Sequence, residues 1–263
     1  MALHFEVHGA RRHGARSVLL SSGLGGSAGF WQPQMEALLQ AGWRVIVYDQ
    51  RGTGRSPDAL PTAGYMIADM AGDVIDILDA TQTARCHFVG HALGGLVGLQ
   101  LGLDAPERLA SLVLVNAWSH PNPHSARCFD ARVELLRCSG ARAYVDAQPI
   151  FLYPAAWAAA NANKVAAEVD HAFAHFPGDA NMLARIGALR AFNVDDRLSE
   201  IGTPTLVATA MDDVLVPWTC STRLVAGLPH ATLDQVPHGG HAHSVVEAEG
   251  FNRTLLGFLQ RQQ

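Results

Sequence analysis

Five short runs rich in β-branched and apolar residues lie at 17–21 (SVLLS), 44–48 (RVIVY), 86–89 (CHFV), 111–115 (SLVLV) and 204–209 (PTLVAT), and most are separated by segments with helical periodicity. That alternation leaves few folds open, because strands joined through helices run parallel and need helices over both faces of their sheet. The clearest helix spans 65–79, where Met66, Met70, Val74, Ile77 and Leu78 recur at three- and four-residue spacing while Asp69, Asp73, Asp76 and Asp79 take other positions. The alternation breaks once. After Asn116 roughly 85 residues pass before the run at 204, too many for a bare connection. Within them 126–138, 140–148 and 164–175 read as helices, punctuated by prolines at 121, 123, 149, 154 and 177. The expectation is a single α/β domain over 1–263, a mostly parallel sheet flanked by helices, with a helical cap inserted at about 117–200.

Composition narrows the partners. A net charge of −5 without a dense Lys/Arg run argues against nucleic acid and anionic lipid, leaving a small-molecule substrate as the expected partner. Cys86, Cys128, Cys138 and Cys220 are scattered without C-x-x-C spacing, so they read as free thiols of a reducing compartment rather than a disulfide framework or zinc site. The residues from Met1 to Glu6 lack a basic-then-apolar leader, and no window offers the apolar length of a membrane span, so the expectation is a cytoplasmic protein.

Phe88-Val89-Gly90-His91-Ala92-Leu93-Gly94-Gly95 runs from a strand straight into a helix through small residues, the pattern of a G-x-S-x-G nucleophile elbow. Such a turn thrusts its apical side chain into the pocket above the strand ends. Here the apex is Ala92, a methyl group. His91, beside it, reads as turn filler and pocket wall, with its ring directed away from the apex. Ser21-Ser22-Gly23-Leu24-Gly25-Gly26 follows the first strand, where the backbone N–H of Leu24 can converge with that of Leu93 on a developing oxyanion. The run Asp49-Gln50-Arg51-Gly52-Thr53-Gly54-Arg55-Ser56 suits a tight loop beside the pocket, with Asp49 and Arg51 read as pinning loops.

An acid and a histidine belong late in such a chain. Asp213 lies just past the run 204–209, with Asp212 as its rival, and His241 follows a short strand at 231–236 and precedes the last helix. His243 is a weaker candidate. His238, His241 and His243 cluster within six residues, but their spacing is not that of two zinc ligands one helical turn apart and no HExxH accompanies them, so neither a metal nor a cofactor is expected.

Gly23-Leu24-Gly25-Gly26-Ser27, Phe30-Trp31-Gln32-Pro33-Gln34, Tyr48 to Gly54, Gly90 to Gly94, Ala147-Gln148-Pro149-Ile150-Phe151-Leu152-Tyr153-Pro154 and Asp212-Asp213-Val214-Leu215-Val216-Pro217 together resemble the pyrimidine-utilisation protein D family of the α/β-hydrolase superfamily. The aspartate–arginine loop and the late aspartate are generic to that superfamily, whereas GHALG and AQPIFLYP are narrow. The resemblance spans nearly the whole chain and includes the alanine at the elbow. It implies hydrolysis of small C–N compounds, carbamate or aminoacrylate, in uracil breakdown.

Methyl in place of hydroxymethyl removes the attacking oxygen, so no covalent acyl-enzyme forms and generic esters should not turn over. The space left is about that of one water, which His241 can activate with Asp213 behind it; the family's implied substrates are labile and need only modest acid–base help. Two other classes stay open: a binding or scaffold protein that kept the pocket and lost the chemistry, and a cofactor-free lyase or oxygenase built on the same pair.

Overall fold

The computed structural model describes residues 3–9, 16–56, 60 and 64–262. Among them β1 (Phe5–His8), β2 (Ser17–Ser21), β3 (Arg44–Tyr48), β4 (Cys86–His91), β5 (Leu109–Val115), β6 (Thr205–Ala210) and β7 (Ala231–Val236) form one sheet in the order β1-β3-β2-β4-β5-β6-β7. Only β1 is antiparallel to its neighbour, β3. The strand β1 has no counterpart in the sequence reading: four half-buried residues on an edge carry too little periodic signal.

Successive strand residues point to opposite faces, and both faces are covered. Leu19, Ile46, Phe88, Leu112 and Val207 pack with Val74, Ile77, Leu96 and Leu99 from α2 (Ile67–Ala80) and α3 (Leu93–Asp104), helices that follow α1 (Gln32–Gln40) in the chain. Val18, Leu20, Val45, Val89 and Val113 pack on the other side with Trp31, Leu38, Phe251 and Leu255. Burial on both faces is why these strands read as continuous apolar runs rather than as alternating ones.

The chain between β5 and β6 is helical: α4 (Pro123–Asp146), α5 (Gln148–Leu152), α6 (Ala155–Ala160), α7 (Ala162–Ala174) and α8 (Asp179–Ala191). The expected break at residues 138–140 is real, since Gly140 at φ 82° kinks α4. The helix α8 is a correction to the sequence reading, which placed nothing there; a buried Arg185 among Met182, Ile186 and Leu189 disguises its apolar face. After β6 come α9 (Trp218–Gly227), α10 (His243–Val246) and α11 (Ala248–Arg261). No helix among the described residues is long and apolar enough to cross a membrane.

Candidate active site

At the C-terminal edge of the sheet, β4 ends at His91 and α3 begins at Leu93, so one residue makes the whole turn. That residue, Ala92, sits at φ 47°, ψ −111°. A side chain in this region costs on the order of 1–3 kcal/mol and persists only where its surroundings hold it. Here the Ala92 N–H donates to Val115 O at 2.8 Å, and the Ala92 carbonyl accepts from Gly95 N at 2.8 Å and Leu96 N at 3.2 Å. The flanking glycines are required by close approach: a Cβ on Gly90 would stand 2.2 Å from Gly94 O, and one on Gly94 2.3 Å from Ser21 O. The Ala92 methyl lines a cavity of about 260 Å³ together with Ser22, Leu24, Trp118, Arg132 and His241.

The opposite wall is a chain of buried polar side chains. His241 Nδ1 is 2.8 Å from Asp213 Oδ2, and both residues are buried. Asp213 Oδ1 accepts from the N–H groups of Leu215 and Val216, each at 2.8 Å, while Oδ2 also accepts from Asn116 Nδ2 at 2.5 Å. Asn116 Oδ1 in turn accepts from His243 Nδ1 at 2.6 Å. With Asp213 satisfied as an acceptor on both oxygens, His241 carries its proton on Nδ1, which leaves Nε2 as the nitrogen presented to the cavity. Burial pushes His243 down to about 4, so it is neutral at pH 7 and serves as a donor to Asn116.

Sequence reasoning missed Asn116. It directly follows β5 at φ 49°, unusual for a residue with a side chain, and that backbone placement is the local sign of its role. Asp212 does not reach His241; its carboxylate accepts from Gly240 N at 2.8 Å and Gly239 N at 3.3 Å, holding the loop that carries the histidine. The His91 ring stacks on Phe30 at 4.5 Å and lies 4.8 Å from the His241 ring, with Nε2 donating to the His241 carbonyl at 2.8 Å. Its Nδ1 would be 2.8 Å from a Cβ on Gly23, a point also 3.6 Å from the Ala92 methyl, so the ring stands beside the apex. Burial, then the neighbouring His241, hold His91 well below the ordinary histidine range and therefore neutral. His238 is exposed near Asp212, and no three His, Cys, Asp or Glu side chains among the described residues are grouped to hold a metal ion.

Neither Leu24 N nor Leu93 N donates to another group among the described residues; Leu24 lines the cavity, and α3 begins at Leu93, directly after the cavity-lining Ala92. The Leu24 loop is braced from α8. Arg185, fully buried, donates to Leu24 O from Nε at 3.1 Å and Nη2 at 3.0 Å, to Arg51 O from Nη1 at 3.3 Å, and to Gln50 Oε1 from Nη2. Asp49 takes the N–H of Ala28 at 2.8 Å and the Arg55 guanidinium at 2.7 Å, and Arg51 pairs with Asp73, so both pin loops. Ser22 lines the cavity, and its buried Oγ has no hydrogen-bond partner, a hydroxyl the sequence reading passed over; it makes no bond to His241.

Residues 16–137 match the family model described as alpha/beta hydrolase fold. Over 261 residues the chain is 73% identical to "Putative carbamate hydrolase RutD" of Variovorax paradoxus (strain S110), covering 99% of this chain and 97% of that protein. The protein of the same name from Rhizobium rhizogenes is 54% identical over 258 residues, 98% of each. Among solved structures, the enol-lactonase from Burkholderia xenovorans LB400 matches with a TM-score of 0.88 at 25% identity, over 98% of this chain and 96% of that one. MGS-M2, an alpha/beta hydrolase enzyme from a deep-sea metagenome library of the Medee basin, matches with a TM-score of 0.90 at 20% identity, over 98% and 94%, a likeness of fold alone.

Proposed function

The chain belongs to the RutD family of the α/β-hydrolases, and from that membership we propose that it hydrolyses a small C–N compound, carbamate or aminoacrylate, in pyrimidine catabolism in the cytoplasm. In this reading 1–263 is one catalytic domain with residues near 117–200 as its cap, and no cofactor takes part. The observation that carries it is the buried His241–Asp213 pair, 2.8 Å apart, of which His241 lines the same cavity as Ala92.

Water is the nucleophile. His241 Nε2 takes a proton from it as its oxygen attacks the carbamate carbon, and Asp213 on Nδ1 stabilises the resulting imidazolium and fixes the ring. The backbone N–H groups of Leu24 and Leu93 receive the charge gathering on oxygen. His241 then returns the proton to nitrogen, the C–N bond breaks, and carbamate plus water leaves as ammonia and bicarbonate. With aminoacrylate the cycle starts from protonated His241, whose Nε2 proton goes to the enamine carbon; water adds to the iminium as Nε2 takes a proton back from it, and the carbinolamine releases ammonia to leave the oxo acid. Acid–base help of this kind is worth roughly 10²–10⁴-fold, enough for substrates that already decay in water.

Ammonia release from freshly generated carbamate and aminoacrylate tests this. Wild type should exceed the protein-free control, and His241→Ala should fall to that control. Equal acceleration by both proteins removes His241 from the mechanism. The Ala92 methyl favours one rival, a binding protein without chemistry; wild-type rates equal to the protein-free control on both substrates would select it.

A further inference from the structure

Two arginines of the inserted helices are buried without a carboxylate partner, and they differ in one respect. Arg185 spends its guanidinium donors on protein acceptors: Leu24 O, Arg51 O and Gln50 Oε1. Arg132, on α4, does not. Its Nη2 donates to Tyr144 Oη at 2.9 Å and to Gln148 Oε1 at 2.5 Å, both neutral, while Nε is buried without any hydrogen-bond partner. Arg132 is only 4% exposed, lines the cavity, and is ringed by Phe129, Tyr144 and Phe151 at 5.0–5.5 Å. The other charged group on the cap side of the cavity, Glu168, is engaged by the Tyr153 hydroxyl at 2.7 Å and forms no ion pair with Arg132.

A guanidinium cannot shed its proton to escape burial, and aromatic faces with two neutral acceptors compensate only part of its lost hydration. We propose that Arg132 is the specificity-determining residue of the cavity: it binds the carboxylate of a small monoanionic substrate and gives the site its preference for acids over their neutral amides. The geometry suits the role, since Nη2 is held by two neutral acceptors, which fixes the guanidinium at the cavity wall with its charge unpaired and without freedom to swing away. The carboxylate supplies the missing counter-charge, and the rings around it keep the pair out of water. The proposal rests on the reading of this cavity as the reaction site, since it places the substrate's acid group at α4 and its reacting carbon toward Ala92 and His241.

Binding of acrylate and of acrylamide, near-isosteres that differ in charge, is measured by calorimetry on the intact protein without turnover. Wild type should bind acrylate at least about tenfold more tightly than acrylamide. Arg132→Met should remove that preference, Arg132→Lys should keep part of it, and acrylamide should bind all three proteins within about twofold. Equal affinity of wild type for the two probes, no acrylate binding at all, or an acrylate preference that survives in Arg132→Met overturns the proposal. Should Arg132→Met fail to fold, the wild-type Arg132 guanidinium resonances decide: they must shift with acrylate and not with acrylamide. The two readings fail separately. Acrylate bound through Arg132 with no ammonia from any substrate removes the hydrolase and keeps the anion site; ammonia release with an unchanged KM in Arg132→Met does the reverse.

Discussion

The two sides of the cavity are built to different standards. On one, Asp213 is hydrogen-bonded by His241, Asn116, Leu215 and Val216, and the chain runs on to His243. On the other, the elbow at Ala92 keeps a strained backbone, glycines cleared for close approach and two unengaged amides, but presents only a methyl group. The acid–base wall is complete and the nucleophilic floor is bare. The floor thus keeps the strained backbone of a nucleophile elbow while presenting no side-chain oxygen at its apex.

The contrast breaks hardest at Asp213. Asp213→Ala leaves an imidazole, an amide and two backbone N–H groups without acceptors in the interior, and stability should fall by about 3–5 kcal/mol, read from urea unfolding. A loss under about 1 kcal/mol would mean the wall is not the network its distances describe. On the floor, Gly94→Ala forces a Cβ to 2.3 Å from Ser21 O and 2.7 Å from Ser22 O, and overpacking against backbone should cost about 1–3 kcal/mol. Wild-type stability in Gly94→Ala would show the elbow to be looser than the wall.

Acid sharpens the comparison next. Burial holds His243 at about 4, and burial with nearby Arg16 and Arg85 holds His87 at about 4. The unfolded chain protonates both near 6.5, so between pH 6.5 and pH 4 it binds more protons than the folded one. Stability is therefore full above pH 6.5 and declines as pH falls, by up to about 1.4 kcal/mol per pH unit for each histidine. His243→Asn should flatten the unfolding free energy against pH over this window; an unchanged slope would place the acid sensitivity elsewhere. The smallest effect belongs to the apex. Ala92→Gly relieves the positive φ but loses a methyl and loosens the unfolded chain, so stability should stay level or rise by up to about 1 kcal/mol. Ala92→Ser, in turn, should restore an acyl-enzyme burst on a nitrophenyl ester, and silence there would say that His241 cannot serve a nucleophile at position 92.

What the sequence disclosed follows the same division. The strands at 17–21 and 44–48 lie where their apolar runs place them, because a sheet buried on both faces writes its pattern locally. The positions of Ala92, Asp213 and His241 were legible because each sits just past a strand in a fixed chain order. Asn116, Arg132 and Arg185 were not. Asn116 meets a residue 97 positions away, and the two arginines sit on helices where a charge ordinarily marks a solvent-facing stripe. Their meaning exists only once the inserted helices fold back over the sheet.

Arg185 carries that dependence furthest. The carbonyl it grips belongs to Leu24, 161 residues earlier, so the cavity loop that carries Leu24 is braced by a helix outside the βαβ frame. The insertion is consequently no interchangeable module. A chimera that takes 117–200 from a relative lacking this arginine inherits a misaligned peptide even if every cavity residue is copied, and its kcat should drop while its melting profile stays cooperative. Drift within α8 is therefore a route by which the shape of the Leu24 loop can change without any change in that loop's own sequence.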